Sequence, residues 1–206
     1  MAADAGVDER WRRLAEQASG CRACDLWANA TQTVFGEGSV PAPIMLVGEQ
    51  PGDQEDLAGH PFVGPAGRVL DEALQEAGID RSAVYVTNAV KHFKWKPRGK
   101  RRIHDKPNRA EAVACRPWLE QELELVRPDV LVALGATAAQ SLLGSTFRLT
   151  RQQGVDLTGT GLAPHVLATT HPSLVLRAPD ADVREQTRRR MVQDLAVAAE
   201  LAGARP

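Results

Sequence analysis

Ile44-Met45-Leu46-Val47 runs directly into Gly48-Glu49-Gln50-Pro51-Gly52. Four consecutive apolar residues suit a strand buried on both faces, the pattern of a parallel sheet. The glycines and prolines that follow end it and open a loop over 48–65. Outward from this run, Val69, Leu70, Ala73, Leu74 and Ala77 recur at i, i+1, i+4, i+5 and i+8, which predicts a helix stopped by Gly78. Residues 84–86, 130–134 and 166–168 are three further short apolar runs and predict three more strands. Helices are predicted over 9–17, over 136–143 up to Gly144, and over 182–201, where Met191, Leu195 and Ala198 share one face. Asn108 followed by Glu111 has the spacing of a capping box, and Pro117 is expected to kink the helix that begins there. Strands alternating with helices imply an α/β fold with a parallel sheet, and such sheets bind ligands beyond the carboxyl ends of their strands.

At 206 residues and 43% hydrophobic content, the chain suits one compact domain spanning 1–206. The formal net charge of -1 excludes bulk attraction to polyanions, so any nucleic-acid contact must come from a local patch. No apolar stretch approaches the ~18 residues of a membrane span. The first ten residues lack a secretory apolar segment, so the expectation is a soluble, cytoplasmic, monomeric protein. Three cysteines, Cys21, Cys24 and Cys115, argue against a disulfide framework. The C-x-x-C of Cys21 and Cys24 instead has the spacing at which two thiolates face one metal centre.

Three loops at strand ends carry the unusual residues. The first continues from Gly52 to Gly59-His60-Pro61-Phe62-Val63-Gly64-Pro65-Ala66-Gly67, and its glycines allow close backbone approach to a ligand. It lacks the Gly-Lys-Ser/Thr of a phosphate-binding loop. The second starts at Thr87-Asn88 and becomes strongly basic. Lys91, Lys94, Lys96, Arg98, Lys100, Arg101 and Arg102 put seven of the chain's 25 Lys and Arg residues in one short window. Such a patch binds phosphates whatever the net charge, and Trp95 within it offers a face for base stacking. The third is His171-Pro172-Ser173-Leu174-Val175, where a histidine at a strand end can present a rigid hydrogen-bond donor.

Together, Gly48-Glu49-Gln50-Pro51-Gly52, Phe62-Val63-Gly64, Thr87-Asn88 and His171-Pro172-Ser173 resemble, in order and rough spacing, the uracil-DNA glycosylase superfamily. The upstream C-x-x-C resembles its iron–sulfur, family-four branch. Lys100-Arg101-Arg102-Ile103-His104 resembles the insert of the X-type branch, whose members form a covalent adduct with uracil-containing DNA. The likeness runs from about Cys21 to Arg177. It implies a three-layer αβα sandwich around a central four-stranded, mainly parallel sheet, with its core over about 18–203.

The resemblance also implies roles. Phe62 stacks on an extruded uracil and Asn88 reads its Watson–Crick edge, since an amide both donates and accepts. His171 donates to uracil O2 as charge develops there, with the Gly48 to Gln50 backbone beside it. Glu49 and Gln50 complete the catalytic set, Glu49 where relatives orient a water or stabilise the sugar cation. His104 attacks the anomeric carbon in place of water, so the enzyme turns over once. Lys94, Lys100, Arg101, Arg102 and Ser173 contact DNA, single-stranded by preference, and Leu174 with Val175 wedges into the vacated stack.

A [4Fe–4S] cluster is implied on Cys21, Cys24, His92 and Cys115, with histidine where the typical family-four chain has cysteine. Zinc would accept the same three Cys and one His. His60 and His165 read as ordinary loop residues. Three other readings stay open: a conventional glycosylase that releases uracil with turnover, a non-catalytic cluster-bearing module that binds DNA through its basic loop, and a zinc-binding regulatory domain.

Overall fold

The computed structural model describes residues 2–203. Helix α1 (Ala2–Ser19) leads through a short 3-10 turn, Asp25–Ala28, to strand β1 (Ile44–Gly48). Then follow α2 (Asp53–Ala58), α3 (Pro65–Glu76), β2 (Val84–Asn88), a hairpin of β3 (Trp95–Arg98) and β4 (Arg101–His104), and α4 (Arg109–Val126). The chain continues through β5 (Val130–Leu134), α5 (Ala136–Leu143), α6 (Leu149–Gln152), β6 (His165–Thr169), α7 (Pro172–Leu176) and α8 (Ala181–Gly203).

The main sheet has the order β2-β1-β5-β6 with every pairing parallel, Ile44 opposite both Val84 and Val130. Its strands alternate between two cores. Ile44, Leu46, Val84, Val86, Val130, Val132, Leu134 and Leu167 face one way, onto Leu70 and Leu74 of α3 and Met191 and Leu195 of α8. Met45, Val47, Tyr85, Leu131, Ala133, Val166 and Ala168 face the other way, onto Leu119 and Val126 of α4 and Ala138, Ala139 and Leu142 of α5. Burial on both faces explains why these strands read as unbroken apolar runs rather than alternating ones. The result is the expected three-layer αβα sandwich.

The four strands pair in parallel and Glu37 adds an antiparallel bridge to Val86 of β2, so the sheet is mainly parallel as expected. The structure departs from the sequence expectations in three places. Helix α1 is longer than 9–17. The 48–65 loop contains α2, whose first turn carries Asp53, Glu55 and Asp56 against the positive end of the helix dipole. Glu55 ties the loop together, its carboxylate accepting from the N–H groups of Gly52 (3.1 Å) and Gly64 (2.8 Å). The basic 88–106 segment is not a simple loop but carries the β3–β4 hairpin. Lys, Arg and Pro hide it from strand propensity, and its one local signal is Gly99 at φ +61°, the first position of a two-residue hairpin turn. The Asn108–Glu111 capping box forms as expected, and α4 runs through Pro117 without ending.

Candidate active site

The carboxyl ends of β1, β2 and β6 open into a cavity of about 800 Å³, walled by the first loop, β4, the start of α5 and α7. Gly48, the last residue of β1, sits where a Cβ would lie 2.3 Å from Asn88 Oδ1 and 2.7 Å from Phe62 Cζ. The missing side chain is what lets the Asn88 amide and the Phe62 ring close over the strand end. Asn88 is buried, and among the described residues no partner engages its side-chain amide. Phe62 is held at φ +58°, a conformation unfavourable for an aromatic residue. Gly67 makes room for it, because a Cβ there would lie 1.6 Å from the Phe62 carbonyl oxygen.

His171 caps the start of α7. Its Nδ1 accepts from the Ser173 N–H at 3.1 Å and lies 2.8 Å from the Ser173 hydroxyl, which in turn accepts from Arg177 Nη2 at 2.9 Å. Burial lowers the imidazole to a pKa of about 4, so the ring is neutral at pH 7. With Nδ1 accepting, the ring proton sits on Nε2, and the residue is a neutral hydrogen-bond donor. Phe62 stacks beside it, ring centres 6.3 Å apart. Gly135, at φ +93°, leaves space for its Cβ.

Glu49 faces His104 across the cavity, Oε1 to Nε2 at 3.3 Å. Burial raises the Glu49 carboxyl, but hydrogen bonds from His104 and Thr137 outweigh it, so the net shift is downward. A carboxylate thus stands beside an imidazole whose side chain is 50% exposed and open to a ligand. Thr137 and Gly135, both in the segment that opens α5, belong to the site although their sequence context, a small-residue run, gave no hint of it.

The hairpin is fixed at both ends. At its base, Gln50 Nε2 donates to the carbonyls of Lys94 and Asp105, both 3.1 Å, and its Oε1 accepts from the Lys94 N–H. Nearer the turn, Arg102 reaches Asp53 Oδ1 and Asp56 Oδ2, each at 2.6 Å, and lies against the Phe93 and Trp95 rings. Arg102 and His104 are two residues apart on one strand and share a face. The clamp on α2 therefore also aims His104 at Glu49.

These contacts revise several expected DNA contacts. Arg102 is engaged by two aspartates rather than free for phosphate. Lys94 pairs with Glu111 at 3.0 Å, and Trp95 donates to the Asn29 carbonyl. The Gln50 side chain positions the hairpin, and the Ser173 hydroxyl faces His171. Val175 is buried in the core and cannot wedge into a base stack, whereas Leu174 is 46% exposed at the cavity edge. Lys100 and Arg101 remain exposed on the hairpin without an acidic partner among the described residues.

Behind the cavity lies a buried network that single residues do not announce. The Lys91 ammonium reaches Thr87 Oγ1 (2.6 Å), the Asn88 carbonyl (2.8 Å) and Glu122. Glu122 also accepts from Tyr85, Thr87 and the Gly36 N–H. The Lys91 N–H donates to Cys115 Sγ at 3.2 Å, and Trp118 Nε1 to Cys21 Sγ at 3.2 Å.

Cys24 packs beside Cys115 against Leu26 and Val90. Burial pushes the Cys115 thiol up to about 11, and the neighbouring Cys21 and Cys24 add to it; burial also raises Cys24. Three converging sulfurs with N–H donors in place are a donor set that a cationic metal–sulfur centre would stabilise. His92 is buried and lowered by that burial, hence neutral, and its Nε2 lies 2.9 Å from Thr33 Oγ1. Among the described residues no three His, Cys, Asp or Glu side chains form a cage for a single ion.

The cavity at the strand ends of this parallel αβα sandwich thus joins the Phe62 ring, the buried Asn88 amide and the neutral His171 donor. The chain belongs to the uracil DNA glycosylase superfamily, whose family model matches residues 35–196. Within it, the chain is 39% identical over 178 residues to the type-4 uracil-DNA glycosylase of Thermotoga maritima, covering 86% of this chain and 88% of that one. It is 37% identical over 175 residues to the type-4 enzyme of Pyrobaculum aerophilum, covering 82% and 85%. A type-5 uracil-DNA glycosylase of the same archaeon is 30% identical over 170 residues, covering 74% and 70%. No helix of the described residues is long and apolar enough to cross a membrane.

Proposed function

We propose that this protein excises uracil from DNA, single-stranded by preference, and then keeps the sugar on His104, as an X-type member of the superfamily. The observation that carries the reading is the His104–Glu49 pair facing the cavity that also holds Phe62, Asn88 and His171. The extruded uracil stacks on Phe62, and the Asn88 amide meets its edge. His171 Nε2–H donates to O2 as the glycosidic electron pair moves onto the base, so uracil leaves as an anion without needing an acid. Glu49, held as a carboxylate, stabilises the cationic sugar. An imidazole nitrogen of His104 closes on C1′ and the ring proton passes to Glu49, so the product is a neutral N-glycosyl imidazole. Such an imidazole is a poor leaving group, and the protein remains attached.

Cys21, Cys24, Cys115 and His92 are the residues that would hold a [4Fe–4S] cluster. When bound, it supplies a cross-link between the segment before β1, the basic segment and α4. Lys91 connects this region to the cavity, with its N–H on Cys115 and its ammonium on the Asn88 carbonyl.

The test is incubation with uracil-containing single-stranded DNA followed by a denaturing gel. A band that survives heat and detergent, absent with His104→Ser and absent with thymine in place of uracil, supports capture. Free uracil without the band supports ordinary turnover. Neither product would remove the enzymatic reading and leave a DNA-binding module.

A further inference from the structure

Alongside the cavity, on the far side of α7, runs a groove of about 500 Å³ between the start of α3, α7 and the start of α8. Arg68 from α3 and Arg184 and Arg188 from α8 line it. Arg188 is engaged by Glu76 and Glu185, and Glu185 is bridged a second time by Arg189 at 2.6 Å. Arg68 and Arg184 are exposed and have no acidic partner among the described residues. Glu72 is the one lining carboxylate without a cation among those residues. Leu176, 46% exposed, adds apolar surface to the same groove.

The groove and the cavity share walls. Ala66 lines the cavity and Pro65 the groove; Ser173, Leu174 and Arg177 line the cavity, Val175 and Leu176 the groove. A strand whose nucleotide enters the cavity has a route across α7, whose Ser173 and Leu174 line the cavity and whose Val175 and Leu176 line the groove. The hairpin offers it fewer free cations than the sequence suggests, because Lys94, Lys96 and Arg102 are all paired with acids.

We propose that this groove is a second DNA subsite, taking the phosphodiester backbone of the uracil-bearing strand on one flank, with Arg68 and Arg184 as its phosphate contacts. The proposal rests on the DNA-binding reading above. A helix is about 10 Å across, so at a rise of about 3.4 Å per nucleotide the subsite lies roughly three nucleotides from the uracil. Leu176, which lines the groove, offers its exposed apolar face to a sugar of that strand.

The experiment compares wild type with Arg68→Ala/Arg184→Ala on single-stranded DNA, using a uracil oligonucleotide with one flanking nucleotide on each side and another with about ten. Uracil-free thymidine oligonucleotides of the longer length report binding independently of chemistry. Two lost phosphate contacts on a single strand lower the slope of log K against log salt by about 1.4. The expected result is this loss of slope on the long thymidine oligonucleotide and slower excision of the long uracil one, with excision of the short one and the thermal midpoint unchanged. An unchanged slope on the long DNA, or an equal loss on the short one, overturns the subsite. Failure of the wild type to excise uracil from any oligonucleotide would instead sink the glycosylase reading, while the thymidine titration still decides the groove.

Discussion

Lys91→Met removes one ammonium from the interior and leaves the Glu122 carboxylate without its counter-charge. Both side chains are essentially inaccessible, at 1% and 0% exposure. Breaking a buried pair by deleting one partner costs about 3–5 kcal/mol, most of it the uncompensated charge left behind. For a chain of this size that corresponds to a fall in thermal midpoint of roughly 6–20 °C. Lys91→Met/Glu122→Gln separates charge from shape. Glutamine keeps an acceptor for the Gly36 N–H, Tyr85 and Thr87, which now meet Glu122 Oε1 at 3.1, 2.9 and 2.9 Å. The double variant should therefore regain roughly half of the loss. Urea denaturation of the three proteins measures this, provided the slope stays constant across them. Should the double variant prove no more stable than Lys91→Met, the lost free energy does not come from a stranded carboxylate, and the electrostatic account of the network is wrong. Because Lys91 also holds the Asn88 carbonyl at 2.8 Å, both variants should excise uracil more slowly.

Gly48→Ala places a methyl 2.3 Å from Asn88 Oδ1 and 2.7 Å from Phe62 Cζ, so uracil binding should fall at least tenfold while the sheet still forms; titration with free uracil checks it. Arg102→Ala releases the hairpin from Asp53 and Asp56, and should slow adduct formation by at least tenfold with little change in uracil release, a split read by single-turnover kinetics. The neutral, buried His171 gives a pH dependence whose sign is fixed. Its folded pKa of about 4 lies below the 6.5 of a free imidazole, so its contribution to stability is complete above pH 6.5 and is lost as pH falls toward 4. Denaturation at several pH values should show this slope in the wild type and a flatter one in His171→Gln; equal slopes would refute the assignment.

Much of the site was legible as short motifs on strand ends. Phe62, Asn88 and His171 all face one cavity, because a parallel sheet brings the carboxyl ends of its strands to the same edge. The hairpin was not legible. Lys, Arg and Pro are poor strand formers, and β3 pairs with β4 because Gln50 and Arg102 tie it to the first loop and α2, contacts made across 44 to 55 residues of sequence. The same distance effect misled the reading of Arg102 and Lys94. A basic residue looks free for phosphate until the fold shows which acid stands beside it.

From its residues alone, then, this chain determines four buried strands, the helices that cover them and the glycines that open a cavity at their ends. Apolar periodicity and backbone permissiveness are local properties that act wherever the chain goes. Tertiary structure alone decided which polar groups face a ligand and which face one another. Whether Arg102 meets an aspartate or a phosphate, and whether His104 meets Glu49 or solvent, depends on segments that only folding brings within hydrogen-bonding distance.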